Sequence, residues 1–407
     1  MKRFLASWPL GLGALALVAF SQHASSQQLP PPDKCKNEIV FGTTLSLTGA
    51  FSTLADSWKR MTEAFQEEYN KDGGVTLKGC GGKKVPIKFV IYDDQSVPAT
   101  AVALYERLAT VDKVDLFVGP DWSSHGFPVS QVFERYQIPS VMSNVATPNV
   151  YERGFKYIAG MALHAKTWSQ NYFNMVQAQT PKPKTVFWVV HDNLVTKTIF
   201  SLHKDVAEKA GIKTVGEDTF AGTTKDFTGV ILKIKAAKPD IVFISAFDGV
   251  SVPLVQQMRQ LKVTAMDVHH IMANGSMARQ VNLDGVTGEI YWHEGIKGPY
   301  ADLTNRVLTK ANIKVFDYLW TGGRTDAYLL MLQAIERVGE LDRDKIAAEL
   351  RKPGAVWQRP GGDFKLDAGG LSEIVAFTHQ MQGGQPVVVW PPEQATGKVQ
   401  WPSPSWQ

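Results

Sequence analysis

The feature that most limits what this chain can become is a regular alternation of strand-like and helix-like segments. Glu38 to Thr43 is a short apolar run, and after a Gly/Ser/Thr loop Trp58, Met61 and Phe65 fall on one stripe of a helix at 55–71, stopped by Asp72-Gly73-Gly74. Val85, Ile87, Phe89 and Ile91 alternate as a strand ending in Asp93-Asp94; Pro98 to Ala109 reads as a helix and Leu116 to Gly119 as a third strand. Such a β-α-β-α-β order implies parallel strands covered by helices on both faces. The rhythm returns after residue 160, with strands at 185–190, 241–245 and 269–272 and helices at 196–210, 227–237 and 250–261. The expected fold class is α/β, in two lobes.

Helical patterns at 301–312, 325–338 and 343–351 follow a further strand at 289–292 and need a sheet to cover. The chain is expected to cross back to the first lobe near 292 and to return near 360. That gives lobe 1 as 36–160 plus 293–359 and lobe 2 as 161–292 plus 360–390. The last stretch, 391–407, is too rich in proline for regular structure and too rich in tryptophan for a free linker, so it is expected to lie packed on a surface.

Lys2 and Arg3 precede an apolar run, 4–20, that ends near Ala24-Ser25-Ser26, the form of a secretory signal peptide at 1–26. A membrane anchor is the competing reading, but Trp8-Pro9 and the glycines dilute a run that is already short. Lys plus Arg is 43 and Asp plus Glu is 39; without Lys2 and Arg3 the balance is 41 minus 39, or +2 for the mature chain. So small and evenly spread a charge gives no electrostatic grip on nucleic acid. Cys35 and Cys80 are the only cysteines, and two thiols in an exported chain tend to close. Cys35 precedes the first strand and Cys80 the second, so parallel pairing would bring them within bridging distance, with two free thiols as the alternative. Two cysteines are too few for a zinc site, and Cys35 lies too far past the apolar run for a lipid anchor.

Enzyme and metal motifs are missing. The loop Gly42 to Gly49 sits between strand and helix but fits neither GxGxxG nor GxxxxGK[ST], and neither HExxH nor GxSxG occurs. His269 and His270 are strand neighbours that point to opposite faces and cannot share one metal. Asn274-Gly275-Ser276 matches a glycosylation acceptor and reads as a loop. No cofactor is expected. Open α/β sheets bind ligands at the carboxyl ends of their strands. There the loop Gly119-Pro120-Asp121-Trp122-Ser123-Ser124 brings hydroxyls to a helix mouth that favours an anion, although either serine could merely cap that helix. Ser143 to Pro148 offers a second hydroxyl and open N–H groups beside it.

In order and spacing these pieces resemble the type I periplasmic solute-binding proteins of branched-chain amino acid type ABC transporters, the leucine/isoleucine/valine-binding group. The resemblance runs through Thr44-Leu45-Ser46-Leu47-Thr48-Gly49-Ala50-Phe51, Asp72-Gly73-Gly74-Val75, Tyr92-Asp93-Asp94, Gly119-Pro120, the loop 143–147, Val190-His191-Asp192 and Trp390-Pro391-Pro392. It implies two lobes joined by a three-strand hinge that close on a ligand, a periplasmic location and permease subunits as partners. It implies Ser123, the Val145 backbone, and the hydroxyl and backbone of Thr147 at a ligand carboxylate, with Leu54 and Trp122 lining the same lobe. On the other lobe Phe247 takes the place of a frequent aromatic, Thr196 that of a frequent tyrosine, and Asn274 that of an acid that would pair with the ligand ammonium. A buried ammonium without such a partner costs on the order of 3–5 kcal/mol. The departures favour a small organic acid, an aromatic one foremost because Trp122 and Phe247 would flank a flat ring, over an α-amino acid. Asp248 and Asp121 are the acids that would otherwise reach an ammonium. Amides and urea are further ligands of the family, and a ligand-sensing receptor module is the reading from another class.

Overall fold

The computed structural model describes residues 29, 32–293, 295, 297–314 and 322–407. The expected signal peptide, 1–26, lies outside them. Two sheets organise the chain. The first has five parallel strands in the order Ile87–Asp93, Ile39–Leu45, Leu116–Val118, Ser140–Ser143 and Ile158–Met161. Helix Ser52–Lys71 buries Trp58, Met61 and Phe65, the stripe its 3.6-residue spacing defines. In-register pairing sets Phe41 beside Phe89, with ring centroids 5.4 Å apart.

The second sheet runs Gln385–Trp390, Phe377–Gln382, Val286–Ile290, Asp267–His270, Ile241–Ser245, Thr185–His191 and Lys213–Phe220. Its first two strands are antiparallel additions and the other five are parallel. Thr185–His191 and Ile241–Ser245 are apolar almost throughout and buried, as parallel strands with both faces covered must be. The strand Lys213–Phe220 was not expected from sequence. It is an edge strand, alternately exposed, and its Lys213, Glu217 and Asp218 supply the charges that keep such edges from pairing further.

After Met161 the chain passes to the second sheet, and after Ile290 it returns to helices that pack on the first: Ala301–Ala311 against Ser52–Lys71, and Gly322–Val338 against Ser140–Ser143 and Ile158–Met161. The hairpin Trp357–Arg359 and Gly362–Phe364 stays with these helices, since Gln333 bonds Gln358 at both ends of its amide, and Leu371 pairs with Gly160. The last crossing therefore falls between Ser372 and Phe377, later than the expected position near 360. The short β-pairings at 357–364 and 371 carry no periodic signal that would have moved it.

Cys35 and Cys80 are bridged, with Cα atoms 5.6 Å apart. The route differs from the expected one: Cys80 lies in the turn of a small antiparallel hairpin, Val75–Leu77 with Lys83–Val85, not ahead of a strand of the main sheet. The Pro/Trp tail is stitched to the second lobe. Trp406 is buried under Arg259, whose guanidinium lies 3.8 Å from the ring centroid, and its carbonyl accepts from the Ala265 N–H. Among the described residues no helix is long and apolar enough to cross a membrane.

Candidate ligand-binding cleft

Between the two sheets, at the carboxyl ends of their parallel strands, lies a cleft of about 540 Å³. The lobe 1 wall is set by two acids at the end of strand Ile87–Asp93. Asp94 accepts from the Thr44 and Ser46 hydroxyls at 2.8 and 2.6 Å, and Asp93 from the Thr48 hydroxyl at 2.7 Å. These bonds tie down the loop 44–51 and deliver Phe51 and Leu54 to the cleft. Phe51 stacks on Trp122 at 4.5 Å, and Trp58 closes behind Trp122 at 5.3 Å.

Helix Ser123–Tyr136 opens on the cleft without a side-chain cap. Trp122 occupies the N-cap position, and the Ser124 hydroxyl goes to His125 Nδ1 at 3.1 Å. The His125 and Gly126 N–H groups donate to the Trp122 carbonyl at 3.0 and 2.8 Å, so only the Ser123 and Ser124 N–H groups are left without an acceptor among the described residues, which favours negative charge there. In the adjoining loop, Asn144 and Ala146 line the cleft, and the N–H groups of Val145, Ala146 and Thr147 have no intramolecular acceptor among the described residues.

On lobe 2 the wall is His191, Asn193, Val195, Phe247, Asp248 and Met272, with Ser276 and Gln280 farther out. Asn193 caps its helix by accepting from the Val195 N–H at 3.0 Å. The Thr196 hydroxyl donates to the His191 carbonyl at 2.6 Å, fixing the turn that presents the imidazole. His191 meets Phe247 edge-on at 5.6 Å, and burial pulls its pKa below the ordinary value, so the imidazole is neutral at pH 7. Asp248 begins helix Asp248–Gln260, and Asn274 Nδ2 donates to its Oδ2 at 2.9 Å. No lysine or arginine is among the described residues that line the cleft.

A family model described as periplasmic binding protein matches residues 38–385. The chain belongs to this family. A relative of this periplasmic binding protein, the leucine-, isoleucine-, valine-, threonine- and alanine-binding protein of Pseudomonas aeruginosa, is 26% identical over 341 residues, 82% of this chain and 86% of that one. An amino acid ABC transporter substrate-binding protein from Pseudomonas fluorescens superposes with a TM-score of 0.74 at 16% identity, covering 90% of this chain and 100% of that one. A solute-binding protein from R. palustris in complex with benzoate gives 0.70 at 18% identity, covering 86% and 95%. The family's members are solute-binding transport proteins, two-lobed with type I topology.

In this periplasmic binding protein Leu54, Trp122, Ser123, Phe247, Asp248 and Asp121 all line the cleft. Val145 and Thr147 sit beneath it, and the neighbours Asn144 and Ala146 form the surface. Ser124 is exposed and turned to His125. Thr196 is fully buried and supports His191 from behind. Asn274 is also buried; its Oδ1 accepts from the Met277 N–H at 3.0 Å, capping the short helix Gly275–Ala278 while its amide holds Asp248. His269 and His270 diverge as expected, His269 to Glu289 at 2.8 Å and His270 to Ser251 at 2.7 Å. Sequence reasoning missed Phe51, Trp58, His191 and Trp168 as lining residues. For Trp58 the signal was ambiguous, because it also belongs to the core stripe of its helix.

Proposed function

We propose that this protein is the solute-binding component of an ABC importer, exported to the periplasm, which closes its lobes on a small organic acid with a flat apolar body and passes it to membrane permease subunits. Aromatic acids are the foremost class. The observation that carries this reading is the pair of opposed aromatic walls, Phe51, Trp58 and Trp122 on one lobe and Phe247 with neutral His191 on the other, above one polar end. At that end Ser123, the open N–H groups of Val145 and Thr147, and the Thr147 hydroxyl would take the carboxylate as the lobes close, each charge-assisted bond contributing about 1.5–3 kcal/mol. A ring between aromatic faces suits offset or edge-on packing.

Asp248 supports a second reading, an α-amino acid whose ammonium would meet that carboxylate; the P. aeruginosa relative carries amino acids in its name. A melting screen of benzoates, cinnamates and phenylpropanoids beside the twenty amino acids separates the two. A ligand at a hundred times its Kd stabilises the closed protein by about 2.7 kcal/mol. Shifts with ring-bearing acids that lack an ammonium, lost in the Ser123→Ala/Thr147→Ala double variant, are expected. Shifts confined to amino acids and abolished by Asp248→Asn would establish the second reading instead.

A further inference from the structure

Beneath the polar end of the cleft lies a fully buried guanidinium with no counterpart in the sequence-based site. Arg324, in the first turn of helix Gly322–Val338, pairs through Nη1 with Asp121 Oδ2. Its Nη2 donates to the Thr43 hydroxyl at 2.9 Å, and Nε donates to the Tyr328 and Thr62 hydroxyls at 2.6 and 3.2 Å. Asp121 lines the cleft two residues ahead of Ser123, and its Oδ1 accepts from the Ser143 hydroxyl at 2.6 Å and from Asn144 Nδ2 at 3.5 Å. An acid so placed would repel an incoming carboxylate if it stood alone.

We propose that Arg324 is a positioning residue for ligand binding: it cancels and holds the Asp121 carboxylate, so that the end of the cleft formed by Ser123 and the loop 144–147 receives a carboxylate without a facing negative charge. This rests on the ligand's bearing a carboxylate, a property common to both readings above. One consequence concerns the cation end. Asp121 has both oxygens engaged within lobe 1, so it is not the partner of a ligand ammonium, and Asp248 alone among the lining acids has an oxygen free for that role.

The charged and titratable groups around Asp121 are Arg324 and Tyr328 on their helix, Tyr105 from helix Pro98–Thr110, and Asp94, which itself faces His125 at 3.6 Å. Burial and Asp94 push the Asp121 pKa up, and Arg324 opposes them. Without the guanidinium, Asp121 would titrate inside the cleft. It would then be neutral at low pH and charged at high pH.

The test is a charge series read with benzoate and benzamide, or, if the screen finds an amino acid, with that acid and its amide. The order of carboxylate affinity expected is Asp121→Asn tightest, wild type and Asp121→Asn/Arg324→Gln alike, and Arg324→Gln weakest by on the order of tenfold or more. Only Arg324→Gln should lose carboxylate affinity as the pH rises, and amide affinity should stay level across the series. If Arg324→Gln does not fold because it buries an unpaired ion, Asp121→Asn beside the double variant decides: carboxylate affinity higher in Asp121→Asn than in the double variant, with amide affinity level, supports the proposal, and equal carboxylate affinity overturns it. Equal loss of acid and amide binding in both single variants, with no pH dependence, would mean that the pair only holds the fold. A wild-type protein that takes the amide and no carboxylate would overturn the acid-ligand reading itself, a result visible before any variant is made.

Discussion

Lobe 1 buries two opposite-charge pairs, Arg324 with Asp121 and Arg359 with Asp326, beside an Asp94 held by hydroxyls, and pins its edge with the Cys35–Cys80 bridge. Lobe 2 buries its ionisable groups among neutral partners. Asp267 is held by the Thr287 and Tyr172 hydroxyls at 2.6 and 3.1 Å, Glu289 meets His269, and His203, His270 and His379 are buried nearby. Without a guanidinium or ammonium beside them, these groups lower their energy by shedding charge. Burial pushes Asp267 up to about 7 and Glu289 well above its ordinary value, and pulls His203, His270 and His379 down to about 3 and His269 well down. The 2.8 Å contact between His269 Nε2 and Glu289 Oε1 thus joins two groups that burial drives toward their neutral forms. In lobe 1 a guanidinium opposes that loss of charge, while burial still pushes Asp121 up and Asp326 up to about 6; in lobe 2 no such cation opposes it.

The largest expected effect breaks the covalent half of that contrast. Closing a loop of 45 residues in the unfolded chain should stabilise the protein by about 3–4 kcal/mol. Cys35→Ser/Cys80→Ser should lower the denaturant midpoint accordingly, with lobe 1 amides near the hairpin Val75–Leu77 and Lys83–Val85 exchanging first. An unchanged midpoint would show that the unfolded chain is not constrained by the bridge.

The next effect sharpens the electrostatic half. Unfolded histidine takes a proton near pH 6.5, whereas the buried histidines do so only near 3, so below 6.5 the unfolded state binds more protons and stability falls as the pH is lowered. Each such histidine contributes a loss on the order of 2 kcal/mol at pH 5. Asp267 and Glu289 act the other way, being protonated when folded and ionised when unfolded above about pH 4, so part of the loss is offset. Four buried histidines stand against two buried acids, and a net loss of stability from pH 7 to 5 is expected. Hydrogen exchange corrected for its own pH dependence should show it in strands Asp267–His270 and Val286–Ile290 before the first sheet. Uniform loss across both lobes would remove the distinction.

Legibility followed the same division. The alternation of elements located most of the inner strands of both sheets because strands such as Ile241–Ser245 are apolar runs bounded by loops. It missed Lys213–Phe220, whose exposed edge leaves no apolar pattern, as well as Ile158–Met161, Phe377–Gln382 and Gln385–Trp390, and it placed the last crossing early because 357–372 is held by scattered bonds. In the site, Trp122 and Ser123 were readable from a loop at a strand end, whereas Phe247 and Asp248 came only from the family resemblance. Arg324 was not: it lies in a helix turn over two hundred residues from Asp121, and nothing local announces a buried pair. Thr196 and Asn274 were placed one layer too far forward for a related reason. Their side chains turn inward to hold His191 and Asp248.

The smallest effect tests that inner layer, where lobe 2 comes closest to the fixed geometry of lobe 1. Asn274 does two jobs, capping Gly275–Ala278 through Oδ1 and restraining Asp248 through Nδ2. Serine is as good a cap but cannot reach Asp248 in the same way, so Asn274→Ser should leave the melting temperature nearly unchanged. Asn274→Ala should cost about 1 kcal/mol. Both variants free the Asp248 carboxylate. If the ligand is an acid without an ammonium, a looser negative charge in the cleft should weaken binding a fewfold and equally in the two variants, as measured by titration calorimetry. Binding that follows the melting temperature, normal in the serine variant and reduced in the alanine one, would mean that the cap matters and the restraint on Asp248 does not.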